Sequence, residues 1–316
     1  MIVTLTANPS IDRTVTLTEP LRSGAVLRAR TVTTQPGGKG INVSRVVTAA
    51  GVPTVAVLPG RPDDPLLRAL RETGLDHRAV PCQGSARTNL TLAESDGTTT
   101  KINEPGAALT EDNLRRLAAL LVELSADAAW VVLSGSLPPL VPDDWYCDLL
   151  RQLRGTPVAV DTSDAPLRAL ASGFDSVVPQ LLKPNAEELA QLTGLDHDEL
   201  HDPSTAARAG RILVDRGVGA VLATLGAEGA VLITPDGAWH ATAPDITPRS
   251  TVGAGDSALA GYLLADLAGS PPADRLRSAV AYGSAAVALP GTGLPGPHHI
   301  TPDAVIVTAL DSLPHR

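Results

Sequence analysis

The sequence predicts an α/β protein with a mostly parallel central sheet flanked by helices, plus a small separate β-sheet. Three observations lead to this fold class. Short apolar runs alternate with helical stretches along most of the 316 residues. Polar and glycine-rich residues follow these runs, and two Thr/Val-rich segments interrupt the alternation. Short runs that are apolar on both faces are typical of strands in a parallel sheet covered by helices.

The individual elements follow from the same pattern. Strands of the main sheet are predicted at 2–6, 55–58, 130–133, 158–160 and 221–224. Helices are predicted at 40–50, 64–72 and, after a glycine-rich turn, in the apolar run 258–267; a last helix is predicted at 303–310, after the Pro/Gly loop 290–297. In such sheets ligands bind beyond the carboxyl ends of the strands. We therefore expect the site among the polar residues that follow these strands.

The two interrupting segments, 13–34 and 87–103, are rich in Thr and Val and partly alternate. Alternation of apolar and polar residues is typical of strands with one solvent-facing side. We expect them to form a small sheet outside the main one, placed to act as a lid. Because no internal repeat or low-complexity linker divides the chain, residues 1–316 are expected to form a single domain.

Composition excludes several kinds of partner. A net charge of −9 without a long basic run argues against nucleic acid, and so does an aromatic content of 2%. No apolar run reaches the roughly 18 residues of a membrane span, and the N-terminus does not resemble a signal peptide. Cys82 and Cys147 lack metal or redox spacing and are predicted to be buried free thiols. These features predict a cytoplasmic protein with a small-molecule ligand.

Lysine is rare in this chain. Of the 25 basic residues, only Lys39, Lys101 and Lys183 are lysines. Lysine is a compact point charge, whereas arginine is a broad planar fork. We interpret the three as positions where a fork does not fit, although chance and codon bias explain any one of them equally well.

The stretch STVGAGDS, residues 250–257, is the strongest candidate for chemistry. Its glycines allow a sharp turn with consecutive exposed N–H groups, and a helix that begins there adds its positive dipole end. Such a site stabilises an anion that develops charge, for example a phosphoryl group during transfer. Asp256 would lie within reach of an attacking hydroxyl. An ordinary aspartate near a helix start explains Asp256 equally well.

The stretch PGGKGIN, residues 36–42, looks like a phosphate loop but is not a Walker A sequence. It lacks the Ser/Thr after Gly-Lys and the correctly placed upstream glycine. Its glycines would let a sugar lie flat on the backbone, with Lys39 and Asn42 bonding its hydroxyls. A tight turn that enters a helix explains the glycines, but not these two side chains.

Two further stretches, KPNAEE (183–188) and TLGAEG (224–229), also follow predicted strands or precede helices. Asn185 and Glu188 are three residues apart and face the same way at a helix start. They are either functional or simply an N-cap with its capping-box partner. His197 and His201 are four apart but lack the HExxH order of zinc sites, so a solvated charged turn is the better interpretation.

These four motifs occur in the order found in the PfkB, or ribokinase-like, family of carbohydrate kinases, which the chain resembles from Asn8 to about Gly293. Within that family it is most similar to the 1-phosphofructokinase and tagatose-6-phosphate kinase branch, through its opening TANPSIDRTV and the segments 87–90, 100–106 and 134–138. The resemblance implies a ribokinase-like fold and ATP and Mg²⁺ as cofactors, with a monovalent cation such as K⁺ as a further option. It implies fructose 1-phosphate as acceptor, with tagatose 6-phosphate or fructose 6-phosphate as alternatives.

The resemblance also implies roles for individual residues. Asp256 resembles the base that contacts the acceptor hydroxyl, and Gly253, Ala254 and Gly255 resemble the anion hole. The implied substrate contacts are Asp12, Gly37, Gly38, Lys39, Asn42, Asn89 and Lys101, with Arg87 and Ser136 on the phosphate that the substrate already carries. The implied nucleotide contacts are Lys183, Asn185, Thr224, Gly226, Gly229, Val252, Gly253, Gly255 and Ser284. Glu188 resembles the acidic residue that organises magnesium through water.

Other functions remain open at this point. A kinase of an unphosphorylated sugar or of a nucleoside has the same fold, but Arg87 and Lys101 favour a phosphorylated acceptor. A non-catalytic sensor also remains, although the complete set of motifs favours an enzyme. A small sheet is marginal alone, so we expect a homodimer through the lid. Arg28, in the lid, would then reach the substrate phosphate of the neighbouring subunit.

Overall fold

The apolar runs form the strands of a ten-stranded sheet in the computed structural model, which describes residues 1–94, 98–244 and 246–310. In chain order the strands are β1 (Ile2–Thr6), β2 (Ser10–Leu17), β3 (Ala29–Gly37), β4 (Thr54–Pro59), β5 (His77–Val80), β6 (Arg87–Ala93), β7 (Thr99–Asn103), β8 (Trp130–Ser134), β9 (Val158–Asp161), β10 (Leu181–Leu182), β11 (Val221–Thr224), β12 (Ala230–Thr234), β13 (Gly237–Thr242) and β14 (Ile306–Leu310). The helices are α1 (Lys39–Ala49), α2 (Pro65–Glu72), α3 (Glu111–Ser125), α4 (Trp145–Gln152), α5 (Asp164–Ser172), α6 (Ala186–Thr193), α7 (Pro203–Asp215), α8 (Ala254–Leu267) and α9 (Pro272–Ala288).

The main sheet has the order β14-β13-β12-β11-β10-β9-β8-β1-β4-β5. Neighbours from β11 to β5 pair in parallel, and only the β11–β14 end is antiparallel. One apolar cluster joins one face of the sheet to helices that include α3, α4 and α7, and another joins the opposite face to α1, α8 and α9. The predicted mostly parallel sheet with helical flanks is confirmed.

Parallel pairing brings the carboxyl ends of the central strands to one edge. Thr6, Ser134 and Asp161 are register partners on β1, β8 and β9. Residues in register on parallel strands project from the same face of the sheet. Polar side chains that are far apart in sequence therefore meet at this edge, on the face covered by α1 and α8.

The Thr/Val-rich segments form a separate four-stranded sheet in the order β3-β2-β6-β7. The outer pairs are antiparallel, and the central β2–β6 pair is parallel. The predicted small sheet is therefore present; residues 95–97 of the segment 87–103 lie outside the described residues. Strand β3 runs directly into the PGGKGIN motif, so the small sheet is attached at the start of α1.

The prediction of a last helix at 303–310 is wrong. Residues Pro302–Ala304 form only a short 3₁₀ turn, and Ile306–Leu310 is strand β14, paired antiparallel with β13. Proline and aspartate at 302 and 303 resemble a helix start, which suggested the helix. Ile306, Val307 and Thr308 are β-branched and fit a sheet edge better than a helix.

Two simpler expectations can also be compared with the structure. Cys147 is buried and Cys82 is half-buried, and each is a free thiol. Among residues 1–94, 98–244 and 246–310, no helix combines the length and apolar character needed to cross a membrane.

Candidate active site

The carboxyl edge of the main sheet, the small sheet and the starts of α6 and α8 line a cleft of about 860 Å³. Lys39, Lys101 and Lys183, the three lysines of the chain, all line it. The protein is negative overall, so these compact cations are concentrated where an anionic ligand would lie. Their shared location supports the interpretation of the lysines as functional positions.

Helix α8 begins at the floor of this cleft. Its N-cap, Gly253, has a left-handed backbone (φ 76°), which glycine adopts without the steric cost of a side chain. Val252, Gly253 and Gly255 line the cleft, and Ala254 lines an adjoining cavity. The positive end of the α8 dipole therefore faces the cleft, as an anion site requires, while the Ala254 N–H donates to the Thr251 carbonyl at 3.4 Å.

Asp256 lies in the first turn of α8 and is only 6% exposed. Its Oδ2 accepts a 2.8 Å hydrogen bond from Nδ2 of Asn42, which lies in the first turn of α1. The PGGKGIN and GAGD motifs are thus brought together by the packing of α1 against α8. This contact keeps the Asp256 carboxylate in one orientation at the cleft floor.

The surroundings raise the pKa of Asp256 to about 6. Burial is the main cause, and the negative charge of Asp161 adds to it. Lys39, the hydrogen bond from Asn42 and Lys183 act in the opposite direction. A carboxylate with a pKa near neutrality accepts a proton more readily than an ordinary aspartate does.

The small sheet provides a second group of polar side chains. Asp12 on β2 and Asn89 on β6 are register partners, and Nδ2 of Asn89 donates to Oδ1 of Asp12 at 2.9 Å. Oδ1 of Asn89 is buried without a hydrogen-bond partner in the described part of the chain. Any side chain at Gly37 would collide with the Asp12 carboxylate. This backbone approach and the unsatisfied amide oxygen fit a hydroxyl-bearing ligand.

Arg87 lies next to Asn8 and Ser10 in space, and Arg87 and Ser136 both form a hydrogen bond with Asn8. Nε of Arg87 donates to the Asn8 carbonyl at 3.3 Å, and Nδ2 of Asn8 donates to Oγ of Ser136 at 3.2 Å. Burial lowers the pKa of the Arg87 guanidinium, and the charges of Asp12 and Glu104 oppose the shift. The guanidinium nevertheless remains charged near neutral pH, so it can receive an anion.

An adjoining cavity of about 560 Å³ continues from the cleft on the far side of Gly255. Its walls are largely apolar, with Pro244, Ile246, Val280 and Val287 among them. Predicted nucleotide contacts divide between the two spaces: Thr224 and Gly226 line both, whereas Gly229 and Ser284 line the adjoining cavity. An apolar slot next to an anion site suits a planar base attached to phosphates.

Asn185 and Glu188 form a reciprocal capping box at the start of α6. The Glu188 N–H donates to Oδ1 of Asn185 at 2.8 Å, and the Asn185 N–H donates to Oε2 of Glu188 at 2.9 Å. Both residues also line the cleft, so capping and ligand contact are compatible here. Burial raises the pKa of Glu188, against the opposing charges of Lys39 and Lys183.

The described residues contain no group of three or more His, Cys, Asp or Glu side chains able to hold a metal ion. A Mg²⁺ ion usually keeps several waters and is bound through substrate phosphates with one or two carboxylates. Glu188, which the resemblance assigns to organising the metal, is one of several carboxylates that line the cleft. His197 and His201 lie at the rim of the cleft with their rings edge-to-face at 5.0 Å, on a short 3₁₀ turn.

Some predicted residues are not in the cleft, and some cleft residues were not predicted. Arg28 is exposed just before β3 and does not line the cleft of its own chain. The predicted residues Gly37, Gly38, Asn42, Arg87 and Ser136 do not line it either, and Arg87 lines a separate small pocket. Asp161 and Thr292 line the cleft, and Asn8 joins Arg87 to Ser136 outside it; sequence reasoning missed all three. Asp161 had a usable signal, because it is an acidic residue that ends a buried apolar strand.

Comparisons of the sequence and the fold with known proteins find similar carbohydrate kinases. Residues 5–299 match the family model described as pfkB family carbohydrate kinase. The chain is 37% identical over 268 residues to a 1-phosphofructokinase of Xanthomonas campestris, covering 83% of each protein. It superposes on phosphofructokinase-2 from Escherichia coli in complex with substrates and products (TM-score 0.87, 30% identity, 94% of this chain and 96% of that chain). The potassium complex of the same protein gives a TM-score of 0.85, 28% identity and the same coverage.

Proposed function

The chain belongs to the pfkB family of carbohydrate kinases, and from that premise we propose that it phosphorylates fructose 1-phosphate to fructose 1,6-bisphosphate. It is a sugar-phosphate kinase, a phosphotransferase with an alcohol group as acceptor. The observation that carries the assignment of roles is the position of Asp256. Its carboxylate lies at the positive end of α8, in the same cleft as the hydroxyl-binding pair Asp12 and Asn89.

In the proposed mechanism, Asp12 and Asn89 hold hydroxyls of the sugar, while Arg87 and Ser136 receive its 1-phosphate. The free C6 hydroxyl then faces Asp256, which takes its proton as the oxygen attacks. The N–H groups at the start of α8 stabilise the negative charge of the phosphoryl group in transfer. Phosphoryl transfer depends mainly on such positioning and charge neutralisation.

Membership of this family implies that the protein uses a nucleoside triphosphate and a divalent metal. We propose that these are ATP and Mg²⁺. When bound, ATP·Mg would supply the γ-phosphoryl group and neutralise charge on the phosphates. Lys183, Thr224 and Gly226 would hold the phosphates and Glu188 would bind the metal through water. Ser284 and the apolar cavity would hold the base. A K⁺ requirement is a further option, and a cytoplasmic location, where ATP is available, belongs to the same proposal.

A panel of acceptors tests the proposed function. ADP release would be measured with fructose 1-phosphate, fructose 6-phosphate, tagatose 6-phosphate, fructose and ribose. We expect the highest kcat/KM on fructose 1-phosphate, because Arg87 and Ser136 provide a receptor for the existing phosphate. If kcat/KM were highest on another phosphosugar, the named substrate would change. If it were highest on an unphosphorylated sugar, the assignment to the 1-phosphofructokinase and tagatose-6-phosphate kinase branch would be wrong. Binding without ADP release would indicate a sensor.

The pKa of Asp256 predicts a pH dependence. Only the ionised carboxylate can accept a proton, and the raised pKa of about 6 means that ionisation is lost as pH falls through that value. We therefore expect kcat/KM to fall on the acidic side of about pH 6 and to reach a plateau above it. A pH profile at saturating ATP measures this limb. An acidic limb near the ordinary aspartate value would contradict the environment described for Asp256.

We also propose that the small sheet is a lid and a dimer interface. Its two edge strands, β3 and β7, expose Val32 (46%) and Ile102 (54%), and unpaired apolar edges favour pairing with another copy. A two-fold pairing would place the exposed Arg28 near the cleft of the neighbouring subunit. Lid closure would exclude water, which competes with the sugar for the phosphoryl group.

Arg28→Ala is expected to raise the KM for fructose 1-phosphate more than that for fructose, because only the former offers a phosphate to the guanidinium. Arg22→Ala is the matched control, since Arg22 is exposed in the same segment but pairs with Glu19 at 2.8 Å. Steady-state kinetics test the contact of Arg28 with the substrate phosphate of the neighbouring subunit, and sedimentation tests the dimer. A fully active monomer would refute the dimer; equal KM values for Arg28→Ala and wild type would refute the contact between subunits.

A further inference from the structure

Asp161 is a buried acidic residue that the proposed reaction leaves without a role. It ends β9 near the middle of the main sheet and is 0% exposed. Its Oδ1 accepts a 2.7 Å hydrogen bond from Nζ of Lys39, and its Oδ2 lies 3.3 Å from Nζ of Lys183. The fold itself produces this arrangement, because Lys183 follows β10, the neighbour of β9, and Lys39 begins α1.

The three side chains carry one negative and two positive charges, so the group has a net positive charge. Burial alone would raise the pKa of Asp161, but the charges of Lys183 and Lys39 outweigh it and hold the pKa below its usual value. For Lys39, burial lowers the pKa, but Asp161, Glu188 and Asp256 leave it raised. Both shifts favour the charged forms of Asp161 and Lys39, and one carboxylate between two lysine side chains leaves one formal positive charge uncompensated within the group.

That excess charge lies next to the start of α8. Nζ of Lys183 is so close to Gly255 that a side-chain carbon added there would lie 3.2 Å from it. Lys183 is only 4% exposed, so its ammonium has little freedom, and Lys39 and Lys183 both line the cleft beside Asp256. The two ammonium groups are thus held on one carboxylate, in the cleft that also contains the start of α8.

We propose that Asp161 is a positioning residue, which holds the ammonium groups of Lys39 and Lys183 in fixed places beside the anion site at the start of α8. Asp161 itself contacts neither substrate in this arrangement; it acts through the two lysines. The inference rests on the proposed kinase function, because it concerns the charge that the transferred group meets.

A second effect follows for the catalytic base. The charged and polar groups that act on Asp256 are Asp161 from β9, Lys39 and Asn42 from α1, and Lys183 after β10. Asp161 raises the pKa of Asp256, whereas the other three lower it. Removal of the Asp161 charge should therefore lower the pKa of Asp256 and make it a weaker base.

The test compares two substitutions at one position. Asp161→Asn removes the charge with little change of shape, so we expect kcat to fall by about 10²-fold, the cost typical of misplaced groups, with KM changed much less. The acidic limb of kcat/KM should move to lower pH. Asp161→Glu keeps the charge but displaces the lysines by one methylene, so kcat should fall while the acidic limb stays in place.

Asp64→Asn is the matched control. Asp64 is also buried, at 2% exposure, but it caps α2 through the Leu66 N–H and does not line the cleft. It also accepts a hydrogen bond from the Ala86 N–H next to Arg87, so the control is read in kcat and the pH profile and not in KM. Its substitution should lower thermal stability and leave both the pH profile and the kcat of the folded fraction unchanged. If the Asp161 variants behaved like Asp64→Asn, Asp161 would be merely structural and the proposal would be overturned.

A readout without turnover separates this inference from the proposed function. Carboxyl-carbon NMR of ligand-free protein follows the titration of Asp256 directly in wild type and Asp161→Asn. A downward shift of its pKa in the variant supports the inference even if another acceptor proves to be the substrate. An unchanged titration, together with unchanged kcat in folded Asp161→Asn, would overturn it. Should Asp161→Asn fail to fold, Asp161→Asn combined with Lys39→Met restores the original net charge of the group; the pKa of Asp256 should then be lower in this double variant than in Lys39→Met alone, and equal titrations of the two would overturn the inference.

Discussion

Asp256→Asn should bind both substrates and lose most of its turnover. Asparagine has nearly the same shape but cannot take a proton, and a general base typically contributes about 10²- to 10⁴-fold. The amide can still contact Asn42, so the start of α8 should remain folded. Steady-state kinetics would measure kcat, and calorimetry would measure the binding of fructose 1-phosphate.

The same helix provides a control for this substitution. Asp266 accepts a 2.8 Å hydrogen bond from Nε1 of Trp130 and pairs with Arg275 at 2.7 Å. It lies near the end of α8 and does not line the cleft. Asp266→Asn should therefore lower stability but keep kcat in the folded fraction. Near-normal turnover of folded Asp256→Asn would remove Asp256 from the role of base.

Arg87→Met is expected to have the next largest effect, on binding rather than on chemistry. The guanidinium would make charge-assisted hydrogen bonds to the substrate phosphate, each worth about 1.5–3 kcal/mol, which corresponds to about 10- to 100-fold in affinity. The KM for fructose 1-phosphate should rise by that factor, and the KM for fructose should change little. Methionine retains much of the side-chain volume at this half-buried position.

Arg68→Met is the reference for the loss of an arginine. Arg68 is exposed on α2 and lines neither the cleft nor the small pocket that Arg87 lines, so neither KM should change. Arg87 also donates to the Glu104 carbonyl at 3.0 Å, so the melting temperature of Arg87→Met must be measured alongside. An equal rise in KM for both acceptors would mean that Arg87 shapes the site without receiving the phosphate.

The main sheet and the small sheet could be predicted because each depends on a local pattern. The strand at 221–224 coincides with β11, since a buried parallel strand must be apolar on both faces. The strand at the end of the chain could not be predicted in the same way. Its preference for a strand over a helix is weak locally and is decided by pairing with β13.

The same difference between local patterns and long-range contacts applies to the candidate site. The GAGD and PGGKGIN motifs are contiguous, so their glycines and polar residues could be recognised and placed at helix starts. The position of Asp161 at the end of a strand could be recognised, but its partners could not, because Lys39 is 122 residues away and only the strand order brings Lys183 beside it. From the sequence, Asn185 is either a helix cap or a ligand contact. The structure shows that it caps α6 and also lines the cleft.

The contact between Asn42 and Asp256 spans 214 residues, and this has a consequence for synthesis on the ribosome. A nascent chain that ends before α8 contains the central strands and α1, but lacks α8 and α9, which complete the cover of one face of the sheet. That apolar face stays exposed until most of the polypeptide has emerged, so assembly of the native state is delayed to the end of translation. Exposed apolar surface of this kind promotes aggregation. The nascent chain is therefore most sensitive to chaperone supply and to premature termination while the last part of the mRNA is being translated.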